Sequence, residues 1–250
     1  MPDTVADNQF YGELASWWPL ISPVEEYAGE AAYVRSLLPT AETPGRTLLE
    51  LGSGGGCMAF YLKTDFAMTL ADLSTQMLAV SANLNPECEH IQSDMRTKRL
   101  ERQFDIVFVH DAIMYMTTEA DLRAAITTAF EHCRPGGLAV FVPDETTEIF
   151  APDRDVGGTD GDDGRGVRFL DWTHDPDPDD DWIATEYAFV LRHADGSIRL
   201  VHETHRTGLF TRATWLRLLA DVGFVADRVV ETTEEDRHPC DVFVAVRPAR

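Results

Sequence analysis

Positive charge is the scarcest feature of this sequence. Its 250 residues hold 21 lysines and arginines against 43 aspartates and glutamates, a formal net charge of −22. Binding a nucleic-acid backbone needs a basic face, so the balance argues against nucleic acid as a partner. The same charge raises the local concentration of a cationic ligand. Long apolar runs are also missing. None approaches the ~20 residues that span a bilayer, so no membrane partner is expected. The opening MPDTVADNQF has neither a basic patch nor an apolar stretch, and no secretory signal is expected there. Cysteine is sparse. Cys57, Cys88, Cys133 and Cys240 are scattered without CxxC or metal-type spacing. A reduced, cytoplasmic protein with no metal centre is the simplest reading. Acid is abundant but uneven, with eleven aspartates from Asp153 to Asp181 against Arg154, Arg165 and Arg168. That composition predicts a mobile surface segment. Its last part, Asp175 to Asp181, contains two prolines and no glycine turn, which argues against a calcium loop.

What is present has a clear order. Ser22-Pro23-Val24-Glu25 reads as a capping box with proline at the first helical position, opening a helix to about Leu38 that ends near Pro39. Strands are predicted at Thr47–Leu51, Ala67–Asp72, His90–Ser93, Phe104–His110 and Leu138–Val142. Helices between them are predicted at Gly55–Leu62, from Ser74 to about Asn83, and at Glu119–Cys133, with Arg134-Pro135-Gly136-Gly137 as the stop. Strands alternating with helices make crossover units and a parallel sheet. The pattern then changes. Val167–Trp172, Trp182–Arg192 and Ser197–Thr207 read as strands with no helix between them, and Ala194-Asp195-Gly196 as a hairpin turn. Thr211–Val222 returns as a helix, and strands near Val225–Val230 and Asp241–Val246 close the chain. Four segments are expected: an N-terminal helical lid (1–40), an α/β core (41–145), an inserted antiparallel sheet on the substrate side with a candidate dimer contact (146–208), and the rest of the core (209–250).

Glycine is concentrated in one place, Gly52-Ser53-Gly54-Gly55-Gly56, between a strand and a helix. Such a loop lets backbone approach a ligand closely at the carboxyl ends of the strands. A nicotinamide fingerprint would need glycine where Cys57 stands. A helix N-terminus can attract phosphate, but Glu50 beside the loop repels an anion and suits a cation. Asp72 ends the second strand, 22 residues after Glu50. A carboxylate there can accept a hydrogen bond from each of two ribose hydroxyls. Asp94 follows the third strand, where an acid can accept an adenine amino group while Met95 lies against the ring. All three acids stand at strand tips facing one crevice.

Glu50-Leu51-Gly52-Ser53-Gly54-Gly55-Gly56, Ala71-Asp72-Leu73-Ser74 with Met77, Ser93-Asp94-Met95, Phe104-Asp105-Ile106-Val107 and Arg134-Pro135-Gly136-Gly137, in this order, resemble the successive motifs of class I S-adenosylmethionine-dependent methyltransferases. The resemblance covers roughly residues 20–145 and the C-terminal 45. It implies a Rossmann-like α/β fold, a seven-stranded, mostly parallel sheet with the last strand antiparallel and helices on both faces. It also implies S-adenosylmethionine as cofactor, with S-adenosylhomocysteine as product. By the same resemblance, Glu50 and the loop with Gly52, Ser53 and Gly54 would sit by the methionine part. Asp72, flanked by Leu73 and Met77, would hold the ribose, and Asp94 with Met95 the adenine. The backbone at His110 would meet the methionine amino group. A narrower similarity links the N-terminal aromatic helix, SDMRTKRL, the spacing to MYMTTEADL and the inserted sheet to small actinobacterial enzymes that N-methylate amino sugars. His110-Asp111 departs from the small or apolar residues expected there in that subgroup.

The activity implied is in-line methyl transfer to a small-molecule acceptor, a nitrogen or oxygen of a natural product or amino sugar. A cofactor-binding regulator without turnover is the alternative, and an NAD-dependent oxidoreductase a weaker one. His110 and Asp111 are the candidate bases for a hydroxyl acceptor. The acceptor pocket is expected from Tyr11, Trp17, Trp18 and Tyr27 of the N-terminal segment, from Tyr115, and from the inserted sheet. There His202, Thr204 and Arg206 share one face, and Val201, Glu203 and His205 the other. The sequence leaves open which face looks inward, so His202, His205 and Arg206 all stand as candidates. A monomer or homodimer fits equally.

Overall fold

The computed structural model describes residues 8–38, 46–231 and 239–249. The N-terminal part is built from short helices. A 3₁₀ turn at Ala15–Trp17 runs into α1 (Trp18–Ile21), and another at Val24–Tyr27 runs into α2 (Ala28–Leu37). The capping box expected at Ser22 does not form. Pro23 takes the N-cap position without a side-chain hydrogen bond. The Ser22 hydroxyl instead lies 2.7 Å from the Tyr27 hydroxyl, so it is used in a side-chain contact and not on the helix amides. Pro39, the expected terminator, lies outside the described residues.

The alternating region follows as β1 (Thr47–Leu51), α3 (Cys57–Leu62), β2 (Ala67–Asp72), α4 (Thr75–Leu84), β3 (Glu89–Gln92), β4 (Phe104–His110), α5 (Glu119–His132) and β5 (Cys133–Val142). Arg134-Pro135-Gly136-Gly137 does stop the helix, but it belongs to the strand that follows. A register shift between Phe104 and Ile106 in the β4–β5 ladder absorbs the extra residues. The Gly136 amide donates to the Arg247 carbonyl at 2.8 Å, anchoring that bulge to the C-terminal strand.

Next come β6 (Asp153–Gly157), β7 (Gly166–His174), β8 (Trp182–Arg192), β9 (Ile198–Gly208), α6 (Arg212–Val222), β10 (Val225–Glu231) and β11 (Cys240–Val246). β6 falls inside the aspartate-rich stretch expected to be a mobile segment. Its acids are solvated while its backbone pairs with β7, Asp155 opposite Asp171. Part of the charge is neutralised locally: Asp160 takes Arg168 at 2.8 Å and Arg192 at 2.9 Å. Acid content reports solvation, and a strand with one solvated face can carry it.

The main sheet has the order β10-β11-β5-β4-β1-β2-β3, with β11 antiparallel to both neighbours and the other ladders parallel. The chain moves from β1 outward to β3, then returns to β4 on the opposite side of β1. That reversal opens a crevice beyond the carboxyl ends of β1 and β4, where ligands bind in open α/β sheets. Both faces are covered. Ile106 and Phe108 pack towards α2 and α3, while Val107 and Val109 pack towards α5 and α6. The second sheet, β6-β7-β8-β9, is antiparallel throughout. Val167, Phe189, Leu191 and Val201 on its inner face pack against Phe10, Leu14, Trp17 and Ile21. That apolar seam holds the N-terminal segment and the inserted sheet together over the crevice.

Candidate cofactor and acceptor site

Strand parity decides the first part of the site. Glu50 shares a sheet face with Leu48, and His110 shares it with Ile106 and Phe108. Because β1 and β4 are neighbours and Glu50 lies opposite Phe108, both polar side chains emerge on one face near the strand tips, His110 one step further out. Glu50 is 2% exposed, and its Oε2 has no hydrogen-bond partner among the described residues. Burial pushes its carboxyl up to about 8, with the His110 charge opposing and Asp72 adding to the rise.

The glycine loop curls tightly past this acid. Gly52 has φ +76°, and a Cβ there would come within 2.3 Å of the Ala112 Cβ. A Cβ on Gly55 would come within 2.4 Å of the Trp18 ring. Asp72 fastens the loop to β2: its Oδ2 accepts the Gly54 amide at 2.8 Å and its Oδ1 the Ser74 amide at 2.8 Å. Burial raises the Asp72 pKa, against those amide hydrogen bonds, which lower it. Ser74 caps α4 by accepting the Met77 amide at 3.0 Å. Leu73, Ser53 and Met95 line the cavity; Met77 is fully buried behind the loop and does not. Asp94 lines it too, but its carboxylate is engaged by Arg96, with contacts of 2.8 Å from Nη2 and 3.1 Å from Nε. The Arg96 side chain holds Asp94 below its ordinary pKa.

His110 is not an open base. Its Nε2 lies 2.7 Å from Glu30 Oε1 and 3.1 Å from Asp111 Oδ1. The second contact is a charge contact without hydrogen-bond alignment, since Asp111 Oδ1 has no hydrogen-bond partner. Burial alone would lower the His110 pKa, but Asp111 and Glu30 more than offset it and lift it to about 10. The imidazole is therefore a cation at neutral pH. Asp111 itself sits at φ +37° and ψ −52°, a positive-φ conformation rare for a residue with a side chain. Its pKa is raised by burial and by Asp144, with His110 opposing. Glu30, His110 and Asp111 offer ligand atoms within 4.8 Å of one another, and here they contact each other directly.

The acceptor half is a hydrogen-bonded chain from three parts of the sequence. The Tyr11 hydroxyl lies 2.8 Å from the Tyr115 hydroxyl, which lies 2.7 Å from His205 Nδ1. His205 Nε2 lies 2.8 Å from Glu203 Oε1. Glu203 in turn accepts the backbone amides of Gln9 and Phe10, at 2.9 and 3.0 Å. The Tyr187 ring stands 4.9 Å from the His205 ring. Val201, Glu203 and His205 thus form the inward face of β9. His202 and Arg206 point away from the cavity: His202 pairs with Glu186 at 2.8 Å, and Arg206 lies over Trp182. Trp17 also faces elsewhere, against His193 and Arg165. Tyr11, Trp18, Tyr27 and Tyr115 line a cavity of about 930 Å³ that joins the glycine loop to the inserted sheet.

Glu30, Asp144 and Tyr187 were not among the expected site residues. Glu30 had a legible signal: an acid four residues before Val34, on the buried stripe of an otherwise apolar helix face. Asp144 and Tyr187 had none, because their place depends on how the second sheet folds back.

Comparison with known proteins agrees with this geometry. Residues 48–137 match a family model described as a methyltransferase domain. The chain is 31% identical over 129 residues to a dTDP-3-amino-3,4,6-trideoxy-alpha-D-glucopyranose N,N-dimethyltransferase of Streptomyces venezuelae, a match spanning 51% of this chain and 54% of that one. This chain thus spans about half the length of that relative. It is 27% identical over 218 residues to a dTDP-3-amino-3,6-dideoxy-alpha-D-glucopyranose N,N-dimethyltransferase of Streptomyces fradiae, covering 86% of this chain and 84% of that one. Among solved structures, it is similar to SAM-bound CalS10, an amino pentose methyltransferase from Micromonospora echinaspora. The TM-score is 0.71 at 25% identity, covering 94% of this chain and 95% of that one. The sheet order, the glycine loop and the strand-tip acids agree with these likenesses to S-adenosylmethionine-dependent methyltransferases.

Proposed function

We propose that the chain methylates the nitrogen of a small amine of the amino-sugar type, using S-adenosylmethionine. The observation that carries this reading is the continuous cavity of about 930 Å³ between the glycine loop and the Tyr11–Tyr115–His205 chain. The cofactor half fits the group. Glu50 offers a buried oxygen without a partner, and Gly52, Ser53 and Gly54 line the cavity beside it. The acids suit a ligand with a cationic end and a ribose.

In this reading Glu50 faces the cationic methionine end, with Gly52, Ser53 and Gly54 beneath it. Asp72 takes the ribose hydroxyls through its remaining lone pairs, beside Leu73. Met95 lies against the adenine, and Asp94 bounds that pocket while tied to Arg96. His110 is a positioning residue that fixes the floor through Glu30 and Asp111. S-adenosylmethionine supplies a methyl group on a sulfonium sulfur, already a good leaving group. The protein's task is alignment and exclusion of water, and alignment of this kind is worth ~7 to 11 kcal/mol. Tyr11, Trp18 and Tyr27 form the lid that excludes water.

An amine acceptor is favoured over a hydroxyl by the state of His110. A hydroxyl needs a base, and a histidine lifted to about 10 already carries its proton. An amine needs only to be neutral when it attacks, so it does not depend on His110 as a base. The relatives' own activities, as N,N-dimethyltransferases of amino sugars, point the same way.

The test is incubation with methyl-labelled cofactor and a panel of amino sugars, phenols and carboxylic acids, with the product mapped by NMR. Label on an amine nitrogen is the expected result. Label found only on oxygen would overturn the reading.

A further inference from the structure

We propose that the acceptor enters this site as a cationic amine bearing no phosphate, unlike the dTDP-linked sugars named for the two curated relatives. The inference rests on the methyltransferase reading above and narrows its substrate class.

Among the described residues, the cavity has no uncommitted cation to offer a diphosphate. Among the described residues that line it, Arg96 is the sole lysine or arginine. Arg96 is already committed, to Asp94 at 2.8 Å and to Asp121 at 3.2 Å. Outside the described stretches, only Arg237 and Arg250 carry a positively charged side chain. The two lining histidines are also committed: His110 to Glu30 and Asp111, and His205 between Tyr115 and Glu203.

Backbone amides are the other means of holding phosphate. In the glycine loop they are largely spent. Gly52 and Ser53 donate to the Ala71 carbonyl, Gly54 to Asp72, and Gly56 to the Ser53 carbonyl.

The acceptor walls carry the opposite sign. Asp111, Asp144 and Asp171 line the cavity, and Glu26, Asp153 and Asp155 line it from the α2 side and β6. These acids are close enough to feel one another. Burial raises the Asp171 pKa and Asp155 and Asp153 add to it; burial raises Glu26 and Asp155 adds to it. A diphosphate in this field meets like charge without a partner, whereas an ammonium group relieves the repulsion. The aromatic faces of Tyr11, Tyr115 and Tyr187 suit the same cation.

The experiment has two arms. In the first, protein saturated with S-adenosylhomocysteine is titrated calorimetrically with dTDP. No binding is expected up to about 1 mM, and a Kd tighter than about 0.1 mM would overturn the proposal. In the second, turnover is compared on a matched pair, the methyl glycoside of 3-amino-3,6-dideoxyglucose and the anomeric dTDP ester of the same sugar. A kcat/KM at least about tenfold higher for the phosphate-free glycoside is expected, a difference of about 1.4 kcal/mol. Preference for the ester would sink it. If neither sugar is methylated, the dTDP titration decides by itself. Failure of S-adenosylhomocysteine to bind would instead remove the methyltransferase reading, and dTDP titrated into the unloaded protein would still decide the charge argument.

Discussion

His110 Nε2 lies 2.7 Å from Glu30 Oε1, joining the tip of β4 to the first turn of α2 across 80 residues of chain. Both side chains are buried, and Asp111 adds its charge from the other side. A histidine whose folded pKa of about 10 stands above its ordinary 6.5 adds stability in full below 6.5. That contribution is lost as pH rises through about 10. His110→Gln should therefore cost most at pH 6 to 6.5, on the order of 3 kcal/mol for a broken buried pair. The gap to wild type should close towards pH 10. Urea unfolding at a series of pH values measures it, and a gap that widens with pH would contradict the pairing.

Glu50 predicts a proton change on cofactor binding. With its carboxyl pushed up to about 8, it carries its proton for most of the time at pH 7. A cationic ligand against Oε2 draws the group back to its ionised form. Binding of S-adenosylhomocysteine at pH 7 should release protons, seen as a calorimetric enthalpy that differs between phosphate and Tris buffers. The buffer dependence should shrink in Glu50→Gln. Equal proton release in both proteins would assign it to another group.

Asp72→Ala should weaken S-adenosylhomocysteine binding at least about tenfold, or ~1.4 kcal/mol. The change removes the ribose acceptor and also frees the Gly54 and Ser74 amides that fasten the loop. Unchanged affinity by calorimetry would count against the ribose assignment.

Tyr115→Phe breaks the contacts to Tyr11 and His205 while keeping the ring. Turnover should fall on the order of ten- to a hundredfold, the range of a lost proton-handling or positioning group. Cofactor affinity should stay within about twofold, since the hydroxyl lies on the acceptor side. His202→Ala, on the outer face of β9, should leave both quantities unchanged. Similar losses in the two variants would argue that the sheet acts only as scaffold.

Several of these features were legible early. The acids at Glu50, Asp72 and Asp94 follow from strand-tip positions, and the inserted strands from period-two patterning and the turn at Gly196. Less was legible where one residue had two uses. Ser22 looked like a cap and became a partner for Tyr27. Arg134 to Gly137 looked like a break and entered β5 through a bulge. Asp153 and Asp155 looked like solvated loop and formed β6.

The sequence by itself determined the α/β order, the glycine loop between β1 and α3, and the acids at the strand tips beside it. Those properties are local, since a strand's parity and a loop's need for positive φ are set within a few residues. Only the tertiary structure decided that Glu30 neutralises His110, that His205 and not His202 faces the cavity, and that Tyr11, Tyr115 and His205 meet. Each of those contacts joins residues about 80 or more positions apart. Their distances depend on strand order and on how the second sheet docks, which side-chain spacing along one element does not encode.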